Sequence, residues 1–234
     1  MNAFVEEHLE VFCRHLPDAT KKEQLVGFDI KKWWGDVSPQ LDKNYPVTEL
    51  PQGQMTRTQL KELCQFESGW RDWECAVAIM AWGVQRRNHG VMLFNRFKEI
   101  EPIIRDMRSD ILTPFDAYKR FDQIWKQPKP LGMGAAYFTK LIFFCEPSHN
   151  GDIMDQWTSK SINLLTGENI VYLSDAGQVN KWNCVKNYET YCSYVKELAS
   201  KLNTSSEEIE IAMFSKGGKK KAGWRQYVVD HTNK

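Results

Sequence analysis

The chain has 234 residues, 42% of them hydrophobic, enough for one substantial apolar core or two smaller lobes. Charged residues make up 26% and almost cancel, to a formal net charge of +1, so affinity for phosphate has to come from local clustering rather than from overall charge. No run approaches the roughly 20 apolar residues of a membrane span, and Met1–Leu16 is amphipathic and acidic, without a basic leader. The expectation is a cytoplasmic chain without a membrane partner.

In chain order, Val5–His15 carries apolar residues at helical spacing. Phe28–Gln54 is punctuated by Gly35, Pro39, Pro46, Pro51 and Gly53 and reads mostly as loop. Helices are predicted over Thr56–Cys64, over the strongly apolar Trp70–Val84, and, after a turn at Gln85–Gly90, over Met92–Met107. Pro114 opens the next helix, Phe115–Trp125, which Pro128 and Pro130 close. Further helices are predicted over Gly134–Cys145, Asp152–Leu165 and Tyr188–Leu202, then from Ser205, which forms a capping box with Glu208. Ile170–Leu173 is the one short strand candidate, and no repeat is evident. The fold class is all-α. The expected organisation is an N-terminal helix and loop-rich segment, 1–65, packing on a helical domain, 66–234.

Six cysteines lie at 13, 64, 75, 145, 184 and 192. No pair has zinc-knuckle spacing and no four would hold an iron–sulfur centre, so reduced thiols, no metal and no cofactor are expected. Cys75 and Cys145 sit in apolar runs and read as small core residues.

The informative stretch is Trp125–Leu165. Two prolines stop a helix, Gly132–Met133–Gly134 follows, and an apolar helix begins. Two glycines permit a tight turn and let backbone N–H groups approach an anion, and the next helix adds its positive N-terminal end. Such a corner grips a phosphate without reading sequence. It is also an ordinary packing corner between helices. After the helix and a loop comes Gly151–Asp152–Ile153–Met154–Asp155–Gln156–Trp157, an acid among bulky apolar residues at a helix start.

This pairing resembles the helix-hairpin-helix DNA glycosylase superfamily, and within it the 8-oxoguanine glycosylase branch. There a Leu-Pro-Gly-Val-Gly hairpin is followed, one helix and a loop later, by a catalytic aspartate. The hairpin here is Pro130–Leu131–Gly132–Met133–Gly134 and the aspartate is Asp155, at matching separation. The phrases Ala81–Trp82–Gly83, GMGAAYFTKLIFF, IMDQWTSKSINLL and the closing Gly-Trp-Arg-Gln-Tyr resemble a bacterial group with the 8-oxoguanine-glycosylase fold. Members of that group occur in anti-phage (type IV CBASS-like) operons beside deazaguanine-handling proteins. The resemblance implies a helix-hairpin-helix glycosylase-like fold, nucleic acid (DNA above all) or a modified nucleobase as partner, and a defence-operon protein as a second partner.

One departure matters. Bifunctional glycosylases place an attacking lysine two residues past the last hairpin glycine, and Ala136 stands there. Lys140, one helical turn on and on the same face, is the candidate replacement, with phosphate contact or snorkelling as its other reading. Asp155 is expected to stabilise positive charge at C1′ or activate water, a role compatible with capping its helix. Base-pocket candidates are Trp82, Phe144, Gln156 and Trp157, with Trp33 and Trp34 if the N-terminal loop folds over; for any one tryptophan, core packing is the competing role. Gly132, Met133, Gly134, Arg86, Arg87 and Asn88 are expected at nucleic acid. So are Lys219, Lys220, Lys221 and Arg225 of the basic run near the C-terminus, where Trp224 and Tyr227 argue that the chain re-enters the fold.

Overall fold

The structure is a computed structural model that describes residues 3–20, 27–45, 50–148, 150–214 and 223–232. Among them are twelve α-helices: α1 (Glu6–Thr20), α2 (Ile30–Val37), α3 (Arg57–Cys64), α4 (Asp72–Trp82), α5 (Arg87–Asn95), α6 (Phe97–Arg108), α7 (Pro114–Trp125), α8 (Ala135–Cys145), α9 (Gln156–Thr166), α10 (Val185–Lys201), α11 (Ser206–Phe214) and α12 (Trp224–Thr232). The strand candidate at 170–173 reduces to a single antiparallel bridge, Leu173 to Val179. The all-α class is the class observed.

The helices form two units. A central unit holds Gln24–Gly151, and a terminal unit joins Met1–Glu23 to Asp152–Lys234. Position 65/66, the division expected from the sequence, falls inside the central unit, between α3 and α4.

In the central unit α4 is the buried axis, with every residue from Trp73 to Trp82 withdrawn from solvent. α3 starts where the sequence places it, with Thr56 and Gln59 closing a capping box. α8 packs on α7 through Phe138, which stacks on Phe121 with ring centroids 5.5 Å apart and meets Tyr118 edge-on at 5.0 Å. Cys64, Cys75 and Cys145 are buried, and all six thiols of the chain are free. Burial pushes the Cys64 thiol well above its ordinary value, and hydrogen bonds with Cys145 and Cys75 push the same way.

Two local differences from the sequence reading have physical causes. The stretch read as loop contains α2, because its prolines and glycines flank the helix apart from Gly35, and Ile30, Trp33 and Val37 bury at helical spacing. Asp29 caps α2 by accepting from Lys32 N at 2.7 Å, and it ties down Gly53 N at 2.6 Å. The helix expected over Met92–Met107 is broken at Arg96, whose backbone leaves helical geometry (φ −110°, ψ 10°).

The terminal unit closes around aromatic contacts between distant parts of the chain. Phe12 of α1 meets Trp224 of α12 edge-on at 5.0 Å, and Val5 N donates to Leu165 O at 2.8 Å. The expected capping box of α11 is present: Glu208 N donates to Ser205 Oγ at 3.2 Å, and Ser205 N to Glu208 Oε2 at 3.0 Å.

Candidate functional site

The hairpin residues lie in the central unit. Gly132 has φ +81°, the left-handed region where a side chain is strained. A Cβ there would also collide with the α5 backbone, at the His89 carbonyl oxygen and 2.8 Å from Leu93 N. Gly134 is extended, caps α8, and packs over the Trp125 indole, 3.0 Å from where a Cβ would stand. Each glycine therefore has its own cause, one a turn over α5 and the other a ring. Met133 is buried, which leaves its backbone as the part available to a ligand.

Two side chains that sequence reasoning passed over fix this corner. Buried Gln85 donates from Nε2 to Gly132 O at 2.7 Å, while its backbone carbonyl accepts from Trp33 Nε1 at 2.8 Å. Arg96, also buried, donates to Gln127 Oε1 at 2.7 Å and to the Lys129 carbonyl, and pairs with Glu99 at 2.5 Å. The hydrogen bond with Glu99 raises the guanidinium above its ordinary value and lowers the carboxyl. The sequence carries no signal for this anchor, because the break at Arg96 falls inside a stretch that reads as one continuous helix.

Lys140 is 8% exposed, and its Nζ donates to the Ala136 carbonyl at 2.7 Å. The ammonium thus lies one turn back from its own Cα, beside the position where the resemblance implies a lysine. Its aliphatic stem passes Gly83, where an added Cβ would sit 3.1 Å from Lys140 Cδ. Tyr137 lies alongside, its ring 5.3 Å from Nζ and its hydroxyl donating to Gly83 O at 3.3 Å.

Gly83 caps α4, and Gln85 N and Val84 N return to the Met80 and Ala81 carbonyls at 2.9 and 3.1 Å. Val84 occupies the left-handed position of this motif, φ +59°, with half its surface exposed. The loop between α4 and α5 is therefore shorter than expected, because α5 already begins at Arg87. Arg86 and Asn88 are exposed at that helix start; Arg87 pairs with Asp36 at 3.2 Å and lies 4.2 Å from the Phe28 ring. Trp82 and Phe144 meet edge to face at 4.9 Å, and Phe144 has no exposed surface. Trp33 is fully buried against Gly90, so it packs the core rather than folding over as a cover.

Asp155, Gln156 and Trp157 lie in the terminal unit. Asp155 is 8% exposed and caps α9: its Oδ1 accepts from Trp157 N at 2.8 Å and Thr158 N at 3.1 Å, while Asp155 N donates to Thr158 Oγ1 at 3.0 Å. The extended segment before it is clamped by buried side chains. Tyr188 Oη donates to Asp152 O at 3.0 Å, Tyr191 Oη to Ile153 O at 2.8 Å, and Glu210 Oε2 accepts from Ile153 N at 2.7 Å. Burial raises both tyrosines well above their ordinary value, and Asp152 adds to the effect on each. None of these clamps was legible in advance, since each couples residues more than thirty positions apart.

Arg225, expected at phosphate, is buried. Its guanidinium lies 4.3 Å from the Trp157 ring centroid and donates to the Phe214 carbonyl. Burial lowers its pKa, opposed by the charge of Asp155. Lys219, Lys220 and Lys221 lie outside the described residues. Among the described residues no group of His, Cys, Asp and Glu is placed to hold a metal, and no helix is long and apolar enough to cross a membrane.

The match that places this all-α protein among DNA glycosylase-like proteins is one of sequence. Residues 20–214 match the family model described as "Putative 8-oxoguanine DNA glycosylase OGG-like protein", and the chain belongs to that family. No curated protein and no solved structure matches it.

Proposed function

We propose that the protein releases a modified, guanine-like base from DNA by cleaving its N-glycosidic bond. The observation that carries this reading is Asp155: a buried carboxylate at a helix start, held by two backbone donors in a segment clamped by Tyr188, Tyr191 and Glu210. A preorganised carboxylate suits the charge of this reaction. As the C1′–N bond breaks, the base leaves with the bonding electrons and the sugar becomes cationic. Asp155 stabilises that cation and accepts a proton from the water that adds to C1′.

Ala136 and Lys140 set the second step. With Nζ beside the Ala136 carbonyl, Lys140 stands in for the missing lysine: once its ammonium has given up a proton, the amine condenses with the C1′ aldehyde of the abasic sugar left by the first step, expelling water as the imine forms. The hairpin from Gly132 to Gly134, with Arg86 and Asn88, holds the backbone of the strand. Trp82 and Trp157 are the remaining ring candidates for the extruded base, Gln156 contributing a hydrogen bond. The proposed setting is cytoplasmic anti-phage defence, supported by the likeness of the four sequence phrases to the bacterial defence group.

The test is base release from a panel of lesion-bearing oligonucleotides. Asp155→Asn keeps the helix cap, since asparagine caps as well as aspartate, and is expected to lose at least about 100-fold in rate. Borohydride is expected to trap an adduct that Lys140→Gln abolishes. A wild-type protein inert on the whole panel overturns the reading. Ala136 favours one alternative, a module that recognises a modified nucleobase without turnover; ligand-induced thermal stabilisation with no base release would establish it.

A further inference from the structure

Between α9 and α10 runs an eighteen-residue connection, 167–184, that none of the expected functions uses. Its backbone is organised by asparagine side chains. Asn163 Nδ2 donates to Val171 O at 2.8 Å and its Oδ1 accepts from Val171 N at 3.0 Å. Asn183 does the same for Tyr172, at 2.8 and 2.9 Å, and Asn187 Nδ2 reaches Ile170 O at 3.1 Å. Gln178 Nε2 binds Gln156 Oε1 at 3.1 Å, which seats the connection on the first turn of α9, next to Asp155.

So much polar bracing holds two aromatic residues outward. Trp182 is 79% exposed, the most open large hydrophobic residue among those described, and Tyr172 is 47% exposed. Their backbones are held together, because Asn180 N and the Asn183 side chain both bind the Tyr172 carbonyl. An exposed tryptophan beside an exposed tyrosine on a hydrogen-bonded loop offers aromatic faces to a partner. The charged residues nearest to Trp182 along the chain are cations, Lys181 and Lys186, both exposed, with Asp175 and Glu189 the first acids on either side. Tyr172 borders an open groove of about 540 Å³ that Lys160 also lines, with Glu168 and Asp175 on its wall.

We infer that Trp182 and Tyr172 form a stacking platform for unpaired bases of a nucleic-acid strand whose phosphates meet Lys181 and Lys186. Aromatic rings presented to bases with cations for the backbone are how single strands are held without sequence preference. A double helix hides its base faces and gives such rings nothing to stack on. This inference deepens the proposed function and rests on it: the substrate is a strand unpaired beside the target base.

Fluorescence anisotropy of labelled oligonucleotides tests it on the full chain, with three probes: oligo-dT, a blunt duplex, and the same duplex with a single-stranded flank. Wild type is expected to favour the probes with unpaired bases. Trp182→Ala is expected to weaken oligo-dT binding about tenfold, with Trp182→Phe restoring most of it and blunt-duplex binding unchanged. Because Trp182 is open to solvent, its removal leaves the fold intact, which a thermal melt verifies. Equal oligo-dT binding by wild type and Trp182→Ala overturns the inference; if the wild type still releases base from the lesion panel, the proposed function survives it. If the wild type binds none of the three probes, both fall.

Discussion

Lys140 shows how a side chain of fixed length converts a change of register into a change of reach. Moving the amine four residues along the helix returns it to the same face, and the long stem recovers the lost turn. That much was legible, since spacing alone places 136 and 140 together. Direction was not legible for Arg225, because a basic run states charge but not which cation turns inward. Trp157 and the Phe214 carbonyl hold this one. Arg225→Ala is therefore expected to destabilise the protein by about 2 kcal/mol through lost packing and hydrogen bonding, while leaving the salt dependence of DNA binding unchanged. Urea unfolding and a titration of affinity against salt measure the two effects. Val84 is the opposite case, a β-branched residue where glycine is at ease. Val84→Gly is expected to stabilise by about 1 kcal/mol in the same unfolding assay.

At the level of elements, the reading from periodicity succeeded where apolar spacing was dense, as in α4 and α8, and where a capping box marked the start, as in α3 and α11. It lost α2 because punctuation by glycine and proline outweighed three buried positions, and it ran α5 into α6 because a break needs no proline when an arginine turns its backbone. The hairpin was legible as a turn, but its supports, Gln85 and Arg96, were not, since each sits in a junction between other helices. Those supports make the hairpin intolerant. Gly132→Ala combines a positive φ with a collision against α5, and is expected to cost on the order of 3 kcal/mol. Gln85→Ala leaves the Gly132 carbonyl without its donor and is expected to cost about 1–3 kcal/mol. Denaturant midpoints report both.

Across the whole chain, the first helix and the last share one unit, and their contact carries a pH dependence. His8 Nδ1 lies 3.0 Å from Tyr227 Oη, and the Tyr227 and His231 rings stack at 3.9 Å. Burial lowers the His8 pKa from 6.5, with His231 pushing the same way and Glu7 opposing. Below 6.5 the unfolded chain takes up this proton before the folded one, so stability falls as pH drops through that value. Thermal melts between pH 7.5 and 5 are expected to show the fall, and His8→Gln to flatten it. The same closure has a consequence for biosynthesis. α1 leaves the ribosome ahead of the central unit, yet its Phe12 finds Trp224 only once translation has passed that whole unit and reached α12. The central unit has all its own helices long before then. Folding during synthesis therefore starts in the middle of the chain, while a nascent amphipathic helix waits with its apolar face uncovered, a natural client for a holding chaperone.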